Sequence, residues 1–270
     1  RILTADKKAA KYLNSPESEI YHKSKILYGI YQAKKEIARQ DNCFLVEGYT
    51  DVISFHQSRI ENVVASSGTA LTSDQIRLVR RLTQNITVLF DGDAAGLRAS
   101  VRGIDLILEQ GMNVKVVTFP EGEDPDSFAK SHSDDELKEY LENSAQDFIN
   151  FKVSLLMEEA QNDPVKKAGL IRDIVMSISK IPDNIQREVY VQECARIMEI
   201  SERVLFSELA QMLKKGNDES VKSTQNRGTA FQVVKEEVKK EKTDTLYVLE
   251  KEIIRILLLF GNEEVSFVNI

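Results

Sequence analysis

The sequence predicts an α/β protein: a mostly parallel four-stranded sheet flanked by helices, followed by an all-α part. Three observations carry this. Four short apolar runs (Cys43–Val46, Asn62–Ala65, Ile86–Phe90 and Asn113–Phe119) each have the length of a buried strand. Helix-period patterns separate them, which is the arrangement of repeated βα units and a parallel sheet. Beyond about residue 133 strand signals stop and only helical periodicity continues.

The elements follow in order. Asn14-Ser15-Pro16-Glu17 marks a turn, because proline disfavours helix in the residue before it. Ile26, Leu27, Ile30 and Ala33 give a helix over Ser24 to about Arg39. The first strand, from Cys43, ends in Glu47 and Gly48, and a helix covers Thr50 to Gln57. After the second strand comes a small-residue turn, Ser66-Ser67-Gly68-Thr69. Ser73 reads as an N-cap, and Ile76, Leu78, Val79 and Leu82 as the apolar face behind it. The third strand runs into Phe90-Asp91-Gly92-Asp93-Ala94-Ala95-Gly96, and Leu97, Val101, Ile104 and Leu108 form the helix that Gly111 ends. The fourth strand leads to a rigid acidic loop, Pro120 to Ser127. Helices are expected at 134–142, 145–161, 164–179, 183–199 and 202–214, with Ser133 and Ser201 as caps. Residues 215–245 are rich in Lys, Glu, Ser, Thr and Asn and read as a linker, and Leu246, Leu249, Ile253 and Ile256 start a new amphipathic helix. The expected organisation is a basic arm with its helix at 1–42, a core at 43–132, a helical subdomain at 133–214, the linker at 215–245 and the start of another helical domain at 246–270.

Composition narrows the function classes. The 270 residues are 42% hydrophobic and 29% charged, the globular range, and no apolar run approaches a membrane span. Two cysteines, Cys43 and Cys194, give neither a disulfide framework nor a cysteine-based zinc site, and the expected compartment is the cytoplasm. A chain that begins with Arg1 reads as a fragment or processed product. The net charge of -7 is uneven: residues 1–42 carry nine basic against five acidic side chains, and residues 43–150 nine against eighteen. A basic arm beside an acidic core fits a phosphate-contacting surface next to a metal site. Taken alone, such residues are more commonly the wet face of an amphipathic helix.

Asp91 and Asp93 repel each other unless something positive lies between them, and a divalent metal is the simplest answer. Asp and Gly are also ordinary turn residues, so this stretch by itself fits a solvated turn as well. The other strand ends tip the balance. Glu47 closes the first strand, Asp124 and Asp126 follow the fourth, and Asp51 lies a helical turn beyond Glu47. In a parallel sheet these ends share one edge, so the carboxylates surround one crevice. Hard oxygen donors there suit Mg²⁺ or Mn²⁺, two ions of which support in-line phosphoryl transfer.

Glu47-Gly48-Tyr49-Thr50-Asp51-Val52, Ala65-Ser66-Ser67-Gly68-Thr69, Phe90 to Gly96 and Gly122-Glu123-Asp124-Pro125-Asp126, in this order, resemble the Toprim domain of topoisomerases, primases and some nucleases. The wording is similar to bacterial-type DNA primase in particular. Upstream, Lys11-Tyr12-Leu13-Asn14-Ser15-Pro16-Glu17, Tyr21-His22-Lys23-Ser24 and Leu27-Tyr28-Gly29 resemble the primase segment that precedes its Toprim domain.

The resemblance implies a Toprim-type fold and an enzyme that makes short RNA primers from ribonucleoside triphosphates on single-stranded DNA. It implies Glu47, Asp91 and Asp93 as main metal ligands, Asp124 and Asp126 as holders of further ions, and Asp51 as a member of the acidic cluster. Lys11 and Lys23 would contact phosphate or template, with Lys25 a lesser candidate, and Lys23 joins the acids as a catalytic candidate. The implied partners are template, nucleotides and a replicative DNA helicase, the last bound through a domain beginning near 246–270. The implied location is the bacterial cytoplasm at replication forks. The family's zinc-binding domain has no counterpart within these residues, so this piece is expected to prime poorly alone. Competing readings are a nuclease, a topoisomerase-type enzyme and a non-catalytic DNA-binding module. Tyr49, inside the metal motif, is a poor topoisomerase nucleophile, and a non-catalytic module would be expected to have lost some of the acids.

Overall fold

A computed structural model describes residues 15–66, 70–92, 94–160, 163–226 and 254–255, with 94–101, 156–160 and 215–226 described in backbone only. Residues 1–218 form one compact unit and 219–270 a second. The first unit holds the sheet.

Five strands make one sheet: β1 (Cys43–Val46), β2 (Val63–Ala65), β3 (Asn85–Phe90), β4 (Asn113–Thr118) and β5 (Gln146–Asp147), in the order β2-β1-β3-β4-β5. The first four are mutually parallel, as expected, and β5 adds an antiparallel edge on β4. The sequence reading has four strands because a two-residue strand is too short to show periodicity.

The strands read as unbroken apolar runs because both faces are buried. Side chains alternate across a strand, so Leu45, Val64, Val88 and Val116 enter one core and Val46, Val63, Leu89 and Val117 the other. The first core is closed by α1 (Ile30–Gln40), α3 (Ser73–Arg80) and α4 (Ala94–Glu109), and by α7 (Phe148–Ala160), α8 (Pro164–Lys180), α9 (Asn184–Met198) and α10 (Glu202–Asn226). The second is closed by α2 (Tyr49–Gln57), α5 (Pro125–Ser131) and α6 (Asp134–Ser144). Phe148, Ile149, Ile174 and Val191 share the first core with the strands, so helices from the all-α part pack directly onto the sheet.

Four local expectations change. The helix expected from Ser24 is a 3₁₀ turn at Lys23–Lys25, then extended chain, then α1. The backbone of Tyr28 explains the break: its N–H and C=O pair with Ala65 at the edge of β2, at 2.9 and 3.1 Å. Gly29 then turns the chain with φ +82°, where a side chain would be strained. The N-cap of α3 is Thr72, not Ser73, because Thr72 and Gln75 have the reciprocal capping-box spacing. The acidic loop gives way to α5 at Pro125, with Asp124 as its cap; Asp-Pro is a helix start as well as a loop signal. Finally α10 extends to Asn226, twelve residues into the expected linker. Leu205 and Leu209 anchor it in the core, and elongating a formed helix avoids the nucleation cost. Ser133 caps α6 as expected. The helix expected at 246–260 lies almost wholly outside the described residues. Among those described, no helix is long and apolar enough to cross a membrane.

Candidate active site

The C-terminal ends of the parallel strands share one edge, where open α/β sheets hold ligands. β1 leaves Glu47 there, β3 leaves Asp91, and β4 leads through a short loop to Asp124. Phe90 aligns with Thr118 and Leu45 with Val88, so Glu47 and Asp91 project from nearly the same level of the sheet.

The acidic turn after β3 is locked to the loop after β4. The Gly92 N–H donates to the Glu123 carbonyl at 3.0 Å, and the Glu123 N–H to the Pro120 carbonyl at 3.0 Å. A Cβ on Gly92 would stand 2.1 Å from the Pro120 carbonyl oxygen, so only glycine fits between the two acids of this motif. Glu123 contributes more than backbone: its Oε2 is buried without a hydrogen-bond partner.

Asp51 is only 7% exposed. Its carboxylate accepts the Gly48 N–H at 2.9 Å, closing the first turn of α2. Burial pushes its pKa up to about 7, and the charges of Asp91, Asp124 and Asp126 add to the rise. These four carboxylates therefore lie in one electrostatic field. Asp124 accepts the Ser127 N–H at 2.7 Å as the cap of α5. Asp126 accepts from the Ser54 hydroxyl and pairs with Lys130 at 2.7 Å. Ser54 is buried on α2, one helical turn beyond Asp51.

Glu47 closes β1 on the same edge. It lines a cavity of ≈ 650 Å³ with Ser66, Leu71, Phe90, Arg102 and Leu106, on the α3 and α4 side of the sheet. Asp93 and Lys11 lie outside the described residues. Among the described residues no three acidic, His or Cys side chains converge tightly enough to hold an ion. The donor set nevertheless fits a hard divalent cation: it is all oxygen and its charges press on one another, and in the adjoining loop a buried Glu123 carboxylate oxygen lacks a donor.

Lys23 is half-buried and Lys25 exposed on the 3₁₀ turn. The arm that carries them docks beside Tyr49, the first residue of α2. The Tyr28 ring meets that of Tyr49 edge-on at 4.8 Å, and Tyr21 shares a side-chain hydrogen bond with Tyr49. Ser54, Gln75, Arg102 and Glu123 are the residues that sequence reasoning leaves unassigned. Gln75 was within reach, because Thr-x-x-Gln is the capping-box spacing. Ser54 was also accessible, since residues three apart on a helix share a face with Asp51.

Comparisons with known proteins agree in order along the chain. A model of the DNA primase catalytic core, N-terminal domain, matches residues 1–34, a Toprim-like model 44–129, and a model of the DnaB-helicase binding domain of primase 150–203. The last match falls on α7 to α9, ahead of the 246–270 region to which the resemblance assigned helicase binding. The DNA primases of Staphylococcus epidermidis and Staphylococcus aureus are each 35% identical over 199 residues, 74% of this chain. The chain spans about a third of the length of these relatives. A DNA primase domain from Pseudomonas aeruginosa superposes with a TM-score of 0.68 at 34% identity, covering 79% of this chain and 66% of that one. The zinc-binding and RNA polymerase domains of the Aquifex aeolicus primase give 0.64 at 33%, covering 76% and 49%. A primase catalytic domain bound to single-stranded DNA gives 0.63 at 33%, covering 73% and 64%. The matches run in order from the arm through the sheet to the helical layer, and the chain belongs to the bacterial DNA primases.

Proposed function

We propose that this chain carries the nucleotidyl-transfer edge of a primase that joins ribonucleoside triphosphates into short RNA primers on single-stranded DNA. The observation that carries the reading is the shared field of Asp51, Asp91, Asp124 and Asp126 at the strand ends, with the Lys23 arm docked beside it. Glu47, Asp91 and Asp93 would hold Mg²⁺ or Mn²⁺, with Asp124 and Asp126 supporting further ions. An ion held there would supply charge neutralisation for the triphosphate and stabilisation of the oxygens of the transfer. The chain's own part is placement. Gly92 fixes the turn of Asp91 against the loop of Asp124, and the Gly48 amide orients Asp51. Lys23, with Lys11 and Lys25, would bind phosphate, a contact that positions without reading sequence.

Single-stranded DNA as template draws support from the structural neighbour bound to it. A replicative helicase as partner draws support from the match over 150–203. The place of action would be the bacterial cytoplasm at replication forks. The test is a priming assay on single-stranded DNA with ribonucleoside triphosphates and Mg²⁺ or Mn²⁺, with these residues carried in a full-length primase. Wild type should yield short RNA and Asp91→Ala none. Cleavage of the DNA instead would sink the reading in favour of a nuclease.

A further inference from the structure

Gln75 has no exposed surface, an environment a primary amide tolerates only when its polar atoms are satisfied. They are satisfied in a particular way. Its Oε1 accepts the Thr72 N–H at 3.0 Å, completing the capping box of α3. Its Nε2 donates to two carbonyls outside α3: Lys23 at 3.0 Å and Ile26 at 2.8 Å. Those carbonyls bracket the 3₁₀ turn. The Thr72 hydroxyl donates to a third, that of Ser24, at 2.5 Å. The foot of α3 therefore grips the backbone of the lysine turn and leaves Lys23 half-buried and Lys25 exposed.

The turn is poorly equipped to hold itself. It has three residues, no buried side chain and no side-chain cap at His22. Such short 3₁₀ pieces have weak hydrogen-bond geometry. Its ties to Glu17, through the Lys23 N–H at 2.9 Å and the His22 ring at 3.2 Å, are exposed to water, and the Lys25 N–H bonds only back to His22. Downstream, firm anchorage begins at the buried Leu27 and the Tyr28 bridge to Ala65. On either side of the turn, Tyr21 and Tyr28 both touch Tyr49, which lies between Glu47 and Asp51 in sequence. A shift of the turn is thus a shift of Lys23 relative to the acidic edge.

We infer that Gln75 is a positioning residue for primer synthesis: its amide sets the Lys23 turn at the height from which the ammonium reaches the phosphates at the edge. This rests on the reading of Lys23 as a phosphate contact. Misplacing a binding group by about an ångström can lower a rate by up to two orders of magnitude, so a buried amide acting through one lysine is a sufficient lever.

Chemistry separates this role from simple capping. Gln75→Glu keeps shape and the oxygen that caps Thr72, but sets an oxygen against the carbonyls of Lys23 and Ile26. Gln75→Met fills the space and removes both roles, and serves if the glutamate variant does not fold. The experiment measures priming kinetics for wild type, Gln75→Glu, Lys23→Ala and the double variant in a full-length primase, with thermal melts alongside. The expected result is a KM for nucleotide raised about ten-fold in Gln75→Glu with kcat less affected. The double variant should be no worse than Lys23→Ala, because both changes remove one interaction. Unchanged priming in Lys23→Ala would overturn the reading of Lys23 itself. An impaired Lys23→Ala beside an unimpaired Gln75→Glu, or losses that multiply in the double variant, would overturn the role of Gln75 alone.

Discussion

Gly92 and Pro120 approach so closely that any side chain on the former would overlap the carbonyl oxygen of the latter, at 2.1 Å. Real Cβ contacts do not reach below about 3.0 Å. Gly92→Ala must therefore push the turn of Asp91 away from the loop of Asp124 and break the Gly92 to Glu123 hydrogen bond. We expect a stability loss of about 1–3 kcal/mol, the usual range for overpacking. Priming should fall at least about a hundred-fold, since the displaced groups are the proposed ligands. A melt and a priming assay on the same preparation decide it. A variant that keeps full activity would show that the two loops move independently.

Asp124 has two separable duties. Its carboxylate caps α5 through the Ser127 N–H, and its charge bears on Asp51. Asp124→Ala removes both and should destabilise the fold by about 1 kcal/mol, the usual value of a cap. Asp124→Asn keeps an acceptor for the cap and removes the charge, so stability should return to near that of wild type. If the carboxylate also supports a metal ion, activity should stay low in both variants. Recovery of priming in Asp124→Asn would reduce this acid to a cap.

The sequence made the parallel sheet legible because strands buried on both faces appear as uninterrupted apolar runs of fixed length. The acidic edge was legible for a related reason: acids directly after such runs have one place to go. What remained hidden depends on contacts between distant residues. The break before α1 comes from Tyr28 pairing with Ala65, thirty-seven positions away, and no local pattern announces it. The cavity that Glu47 lines with Arg102 of α4, and the burial of Asp51 near Asp91, Asp124 and Asp126, depend on how distant elements pack. Short β5 and the grip of Gln75 on Lys23 are likewise tertiary facts.

Asp51 gives the metal-free protein a pH signature. Its ordinary pKa is 3.8, and in the folded chain burial and neighbouring carboxylates push it up to about 7. Folded protein then holds a proton that the unfolded chain has lost, so stability falls as pH rises from about 4 to 7. Each pKa unit corresponds to about 1.4 kcal/mol, which makes the whole window a few kcal/mol at most. In chelator, melts across this range should show the decline in wild type and much less of it in Asp51→Asn. Added Mg²⁺ should flatten the wild-type profile, because a cation among these acids favours their charged forms. A decline of equal size in Asp51→Asn would place its origin elsewhere.

Lys152 on α7 tests how firmly the helical layer holds α4, the helix that follows the turn at Asp91. Its side chain is 2% exposed and its Nζ lies 3.1 Å from Asp105 on α4. It also donates to the Ser177 hydroxyl on α8, which in turn donates to Asp105 at 2.5 Å. Burial pulls the lysine below its ordinary range, and Asp105 partly restores it. The unfolded chain holds that proton more tightly, so wild type should gain stability on Lys152→Met as pH rises toward 10.5. At neutral pH, Lys152→Met strands the Asp105 carboxylate. Breaking a buried pair from one side usually costs about 3–5 kcal/mol; water reaching the partly exposed Asp105 and the remaining Ser177 bond bring the expectation to about 2 kcal/mol. Replacing both charges, as Lys152→Met with Asp105→Leu, should recover most of the loss, since an apolar pair of similar volume fills the same space without stranding a charge. Priming should recover with stability in the double variant if the pair only holds α4 in place. Restored stability with priming still low would mean that the charged pair itself sets where α4 begins, and with it the turn at Asp91.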